Sequence, residues 1–79
     1  MASIKVHITF PEEKIKDPVI YQIGKEYNVI TNIRKADVTE KTGWVDLELT
    51  GDPKEIERAV QGLKNKGVIV DPIERNIIE

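Results

Sequence analysis

The sequence predicts one α+β domain with the element order βαββαβ, a four-stranded antiparallel sheet and two helices on one face. Alternating apolar and polar residues indicate half-buried strands, and two segments with apolar residues at helical spacing lie between them. An Asp-Pro pair precedes each helical segment. Short connections and right-handed crossovers then predict a ferredoxin-like arrangement with one sheet face uncovered.

The first strand is predicted over Ser3–Phe10, where every second residue is apolar. The first helix is predicted to start at Asp17 and Pro18, because Asp can accept hydrogen bonds from free helix amides and Pro suits the first helical position. Asn28 is expected to end this helix in a left-handed conformation.

A hairpin is predicted next. Val29–Val38 begins as a strand rich in β-branched residues, and the turn-forming Gly43 ends the connection that starts at Thr39. The following strand alternates between two faces and ends at Gly51. One face carries Val45, Leu47 and Leu49, and the other carries Trp44, Asp46 and Glu48.

The second helix has the strongest local signal. Asp52 is the predicted N-cap, Pro53 the first helical residue and Glu55 the capping-box acid. Gly67 is expected to supply a left-handed residue after the helix.

Val68–Arg75 forms the last predicted strand. Pro72 cannot donate to a ladder, so we place it at an edge-facing position or at a bulge near the end of this strand.

Composition limits the function. A chain of 79 residues fits a single domain, residues 1–79. Because its core is small, we expect that the domain gains stability by self-association. The absence of cysteine excludes a disulfide framework and thiolate metal sites, and we expect no cofactor. A net charge of -2 argues against a broad nucleic-acid surface. Without a signal sequence or an apolar membrane span, a cytoplasmic location is expected.

The residues favour binding over catalysis. An RNA-binding sheet would need several aromatic and basic residues, whereas Trp44 stands beside Asp46 and Glu48. The loop after the first strand carries Glu12 and Glu13, whose carboxylates would repel a phosphate. The only histidine, His7, is predicted to lie on the uncovered face as a solvated or interface residue. We therefore predict that the chain is not an enzyme.

Three apolar residues are predicted to lie in an interface. Trp44 is the only tryptophan and faces away from Val45, and an exposed tryptophan commonly packs on a partner or ligand. Ile77 and Ile78 lie beyond the last proline and are expected to cover a sheet face or a second subunit.

The segment Val29–Val38, the later Gly43 and the strand–Gly-Asp–helix pattern of Val45–Asp52 resemble the NIL domain, a relative of the ACT domains. The family is named for an Asn-Ile-Leu tripeptide, and this chain has Asn32, Ile33 and Arg34 at that place in the second strand.

The resemblance implies a regulatory function. NIL domains occur at the C-terminus of the ATPase subunit of methionine importers, with a methionine site between paired domains, and also in fusions with iron–sulfur ferredoxin modules. This sequence contains neither a Walker A motif nor a cysteine cluster, so it resembles the stand-alone form. The resemblance makes Asn32 a ligand-orienting residue and Ile33 a wall of the site. Arg34, in place of Leu, either adds a partner for a ligand carboxylate or faces water.

Two hypotheses remain open. The first is a regulatory module that binds an amino acid such as methionine, or a related sulfur metabolite, between the subunits of a homodimer or larger homo-oligomer. The second is a ligand-free interaction module that docks on a ferredoxin, transporter or enzyme through its strand edges and Trp44.

Overall fold

The computed structural model describes residues 2–77, with side chains from 2 to 73. It confirms the predicted order of elements. The strands are β1 (Ala2–Phe10), β2 (Val29–Val38), β3 (Gly43–Gly51) and β4 (Ile69–Ile77), and the helices are α1 (Val19–Glu26) and α2 (Pro53–Asn65). A short 3₁₀ turn, Glu12–Lys14, links β1 to α1. None of the helices in the described part of the chain is long and apolar enough to span a membrane.

The sheet has the strand order β2-β3-β1-β4, and neighbouring strands are antiparallel. Residues directly opposite one another share a face, so the alternation in β1 and β3 produces one apolar layer. Both helices pack on this layer and contribute to the same core. The buried core residues of the central strands and helices are Ala2, Ile4, Val6, Ile8, Val19, Ile23, Val45, Leu47, Leu49, Ile56, Ala59 and Leu63. The opposite face of the sheet, called the open face below, is covered by neither helix.

Only one of the two Asp-Pro pairs caps its helix as predicted. The Asp52 carboxylate accepts a hydrogen bond from the Lys54 amide at 2.9 Å, and Pro53 begins α2. The cap predicted for Asp17 is wrong, because α1 starts one residue later with Pro18 as its N-cap and has no side-chain cap. A proline has no side-chain acceptor, so it cannot replace the missing cap.

Two other predictions about helix ends are corrected. Asn28 does not adopt a left-handed conformation, since Tyr27 has already turned to extended backbone. The Asn28 amide donates instead to the Glu55 carboxylate at 2.8 Å. Glu55 therefore joins the end of α1 to the start of α2, whereas a capping box would turn it back onto its own helix. The prediction for Gly67 is confirmed, with φ at 90°.

The hairpin is confirmed, but its turn differs from the prediction. Gly43 is already a buried residue of β3. The turn is closed by Thr39, whose amide donates to the Thr42 carbonyl at 2.7 Å and whose Oγ1 accepts from the Thr42 amide at 3.0 Å. Hydrogen bonds of Thr39, including one to its hydroxyl, therefore close the turn that the sequence predicted for Gly43.

The last strand lies at an edge of the sheet and contains the predicted irregularity. The partners of Lys5 and Val6 in β4 are Glu74 and Pro72, so Ile73 is an extra residue without a partner of its own. Pro72 therefore lies beside a bulge, where its missing N–H removes little pairing. The strand is observed over Ile69–Ile77, later than the predicted Val68–Arg75, because pairing with β1 continues to Ala2.

A second bulge, which the sequence reading did not predict, lies in the other edge strand. Ile33 is opposite Leu47 and Lys35 is opposite Asp46, so Arg34 is the extra residue in β2. Before the bulge, odd-numbered residues of β2 face the helices, and after it the even-numbered ones do.

Candidate ligand-binding and interaction site

The three residues that correspond to the NIL tripeptide surround the bulge of β2. Asn32 is opposite Glu48, which places it on the open face, and Ile33 is opposite the core residue Leu47, which places it on the helix side. All three residues are exposed, and Ile33 exposes 54% of its surface. Within one subunit, Asn32 and Ile33 therefore point to opposite sides of the sheet, and a ligand that contacts both must lie at the edge of β2.

Arg34 reaches the open face. Its guanidinium Nη1 lies 3.7 Å from the Glu48 Oε1. Glu48 is opposite Asn32 on one side and opposite Lys5 of β1 on the other. Lys5, Glu48 and Asn32 thus form a row across the open face, which Arg34 joins at its end. This open-face row carries an amide, a carboxylate and two cations, which are the groups that bind both ends of a zwitterion.

A second cluster occupies the middle of the open face. His7 and Asp46 are opposite each other in β1 and β3, and the His7 Nδ1 donates to the Asp46 Oδ1 at 2.6 Å. The Trp44 ring stacks on His7 with a centroid distance of 5.3 Å and an angle of 26° between the rings. The carboxylate fixes the imidazole, and the imidazole fixes the indole. With Nδ1 occupied, Nε2 is the ring nitrogen left to bind a partner.

Sequence reasoning placed His7, Trp44 and Asp46 on the open face but did not bring them together. Their contact depends on the register between β1 and β3, in which Thr9 is opposite Trp44 and His7 is opposite Asp46. The two strands are separated in the chain by α1 and β2, so no local signal sets this register. Matching the apolar positions of the two strands would have allowed His7 opposite Asp46, although it would not have selected that pair over a slip of two residues.

Other predicted interface residues lie elsewhere. Ile77 ends β4 and pairs with Ala2 at the far end of the sheet from Trp44. Ile78 lies outside the described residues. Trp44 itself is half-buried, because His7 covers part of its ring.

The described residues also line grooves between elements of the fold. One of about 540 Å³ lies between α2 and β4 and has Ile4, Ile56, Val60 and Ile73 among its walls. Another of about 880 Å³ lies between the 3₁₀ turn and the hairpin turn. It is lined by Glu12, Glu13, Ile15, Lys16, Val38, Thr39, Glu40 and Lys41. The predicted ligand-binding residues line neither groove.

Comparison with known proteins gives a consistent family. The profile of the NIL domain matches residues 5–72, which include both helices, β2 and β3, most of β1 and the first part of β4. No curated protein matches this chain significantly.

Several solved structures are similar to this chain, and two of them illustrate the range. The C-terminal domain of an ABC transporter ATP-binding protein from Enterococcus faecalis has 27% sequence identity and a TM-score of 0.77, over 89% of this chain and 82% of that one. The de novo designed protein Foldit4 has 17% identity and a TM-score of 0.63, over 99% of this chain and 98% of that one. The second similarity shows the fold alone.

Proposed function

Because this chain belongs to the NIL domain family, we propose that it is a regulatory domain that binds a small molecule between two subunits. The proposed ligand is an amino acid such as methionine, or a related sulfur metabolite. The match over residues 5–72 is the observation that carries this proposal. The similarity to the C-terminal domain of an ABC transporter ATP-binding protein supports it.

The open-face row at the bulge fits an amino acid chemically. The Asn32 amide can donate to a carboxylate and accept from an ammonium group. Arg34 adds a cation for the carboxylate, and Glu48 adds an anion for the ammonium group. We propose that these three side chains orient the ligand, while Ile33 contributes apolar surface from the helix side of the interface.

Calorimetric titration of the dialysed protein with methionine and other amino acids tests this proposal. We expect heat of binding with at least one of them, and we expect Asn32→Ala to weaken that binding by tenfold or more, since one lost hydrogen bond to a charged group is worth roughly 1.5–3 kcal/mol. Asn65→Ala removes an asparagine from α2 and is the matched control, because it should leave the affinity unchanged.

The absence of heat with every amino acid at millimolar concentration would contradict the proposal. So would equal affinities of the wild-type chain and the Asn32→Ala variant. A non-catalytic function and a cytoplasmic location are parts of the same proposal, and clear turnover in a hydrolase and phosphatase screen would contradict the first of them.

The cluster of His7, Trp44 and Asp46 favours a second candidate function. A fixed aromatic ring on an uncovered sheet face is typical of a protein-docking surface. In this alternative the open face docks on a transporter, ferredoxin or enzyme without a ligand. Light scattering with Trp44→Ala distinguishes the two, because only the docking function predicts lost assembly with an unchanged response to amino acids.

A further inference from the structure

We propose that the open face of the sheet is a homodimer interface, in which a second copy of this chain packs its own open face against the first. The two-fold axis runs along the strands, midway between β1 and β3, and the result is a sandwich of two four-stranded sheets. The proposal rests on the proposed function only in taking the chain to act as a homo-oligomer, and it names the surface and the register.

The open face carries its charges in rows that cross the strands. The middle row runs from β2 to β4 and consists of Lys35, Asp46, His7 and Asp71, each opposite the next. Residues opposite one another share a face, so all four project from the same surface. Lys35 and Asp71, at the two ends of the row, are exposed and have no ion pair among the described side chains. The row therefore has a cation at one edge of the sheet and a carboxylate at the other.

The two-fold axis makes this row complementary to itself. It places β2 over β4 of the second copy, so Lys35 faces Asp71 of the second copy and Asp71 faces its Lys35. Stacked sheets lie about 10 Å apart, a gap that two facing side chains span together. In the middle of the row, Asp46 faces His7 of the second copy. Since His7 Nδ1 already donates to Asp46 of its own chain, the imidazolium form then has a carboxylate for each of its two N–H groups.

The neighbouring row is complementary in the same way. Lys5 of β1 and Glu48 of β3 are opposite each other within one chain. The axis places β3 over β1 of the second copy, so the Glu48 carboxylate faces Lys5 of the second copy, and Lys5 faces its Glu48. Each charge of the two central strands thus faces an opposite charge in the other sheet. Such complementarity determines which partner and which register an interface selects.

A more apolar row lies at one end of the face. Trp44 is opposite Thr9, and Ile69 continues the row on β4 with 55% of its surface exposed. In the dimer Trp44 lies over Thr9 of the second copy, one strand away from its Ile69. Asp37, at the β2 end of this row, stays at the rim of the contact. The dimer therefore covers the indole and the exposed isoleucine twice, once on each side of the axis.

Other ways of stacking the two faces are disfavoured. An axis across the strands would place Asp46 over Glu48 of the second copy, and Glu48 over its Asp46. An axis along β3 would place each of these carboxylates over its own counterpart, and an axis along β1 would do the same to Lys5. Like charges facing each other across an interface are strongly unfavourable. An axis moved to an outer pair of strands halves the overlap, so the axis midway between β1 and β3 is the one selected.

This arrangement puts the proposed ligand site at the rim of the dimer. Asn32 lies beyond Glu48 on β2, at the edge of the open face, and Arg34 reaches the same edge. Because β4 of the second copy lies over β2, an amino acid bound at this edge has one chain on each side. The axis produces two such sites.

Charge reversal tests the register. Sedimentation velocity should show a wild-type dimer whose dissociation constant rises about tenfold or more in Lys35→Asp and in Asp71→Lys, because each change makes two attractive pairs repulsive. Lys41→Asp and Glu40→Lys, in the hairpin turn outside the open face, are the matched controls and should leave the constant unchanged. A dimer indifferent to Asp71→Lys would overturn the proposal.

Mixing the two variants separates a lost contact from a lost fold. Within one chain Lys35 and Asp71 are three strand spacings apart, about 14 Å, which is too far for an ion pair. In a heterodimer of Lys35→Asp with Asp71→Lys, the two substituted residues face each other with opposite charges, and so do the two native ones. We expect the mixture to dimerise at a concentration where each variant alone is monomeric. A mixture that stays monomeric would contradict the facing pairs.

Trp44 reports the same contact without any substitution. It is the only tryptophan in the chain, so its emission reads a single site. We expect the emission to move to shorter wavelength as the wild-type chain is concentrated, because the second sheet excludes water from the indole. The emission of Asp71→Lys should move only at a higher concentration. Emission that stays constant while the wild-type chain dimerises would show that the copies meet at another surface.

A wild-type chain that is monomeric at high micromolar concentration would leave the open face to another protein and overturn the proposal. These outcomes differ from failure of the proposed function. A dimer that binds no amino acid leaves the interface intact and removes the ligand, whereas a monomer that binds methionine does the reverse.

Discussion

Glu55 connects the two helices at the level of a single side chain. One carboxylate oxygen accepts from the Asn28 amide at 2.8 Å, and the other accepts from the Arg58 guanidinium. The hydrogen bond from Asn28 is the largest influence, and with Arg58 it lowers the pKa of Glu55 below its ordinary value of 4.5. The ionised carboxylate therefore stabilises the folded state.

The lowered pKa of Glu55 predicts how stability responds to acid. Its contribution is fully present above the unfolded pKa and is lost as pH falls through the lower, folded pKa. We expect urea unfolding of Glu55→Gln to show a smaller loss of stability than the wild type below about pH 4.5. Glu57→Gln, a change at an exposed glutamate of the same helix, is the control. Equal acid sensitivity of the two variants would contradict this role for Glu55.

Asn28 and Glu55 also show what local patterns cannot predict. The spacing of Asp52 and Glu55 fits a capping box, and Asn28 has the composition of a helix end. Both assignments ignore residues distant in the chain. Because the ends of the two helices meet across 27 positions of sequence, each group satisfies the other and the local alternatives are not used.

At the scale of elements, the two Asp-Pro pairs form a matched comparison. The Asp52 carboxylate caps α2, whereas α1 has no side-chain cap. We expect Asp52→Ala to lower the free energy of unfolding by about 1 kcal/mol, the usual effect of removing such a cap. Asp17→Ala should stay within roughly 0.5 kcal/mol of the wild type. Chemical denaturation measures both, and equal losses would show that Asp17 stabilises α1 in some other way.

The bulge in β2 was predictable in principle from the pattern of apolar residues. Val29 and Ile33 have odd numbers, while Ala36 and Val38 have even ones. In a regular strand these two pairs would lie on opposite faces, so one extra residue between positions 33 and 36 restores a common face. Most residues of this stretch are polar and exposed, so few buried apolar positions mark the two faces. The shift is therefore easily mistaken for a loss of periodicity.

At the scale of the whole molecule, the outer end of the hairpin formed by β2 and β3 lies outside the core, whereas the rest of β3 is part of it. The molecule measures 40 × 21 × 15 Å, and residues 32–42 are exposed throughout. Stability therefore differs along the chain, since the inner residues of β1 lie within the core and those of the hairpin end do not.

Native-state hydrogen exchange should detect this difference. In dilute protein, we expect the amides of Lys35–Val38 to exchange through local opening, at a lower free energy than those of Ile4–Ile8 in β1. The β1 amides should require global unfolding. Uniform protection of the two strands in dilute protein would contradict this distribution of stability.

The fold was predictable because alternation and helix-start signals act locally and agree with one another. The candidate site was less predictable from the sequence than the fold. Its residues could be named from the family tripeptide, but the opposite faces of Asn32 and Ile33 depend on pairing with β3, and the His7–Trp44 contact depends on a register between strands distant in sequence.

The unpaired position of Arg34 has a genetic consequence. Loss of its codon would make β2 a regular strand. Ile33 and Ala36 would stay on the helix side, because they are already two ladder positions apart, with Lys35 between them. Loss of the codon for Lys35 would instead remove a rung and require the bulge to supply its replacement. Codons 34 and 35 are thus both places where the gene can shorten this strand without reversing a face, and the family tripeptide ends on the first of them.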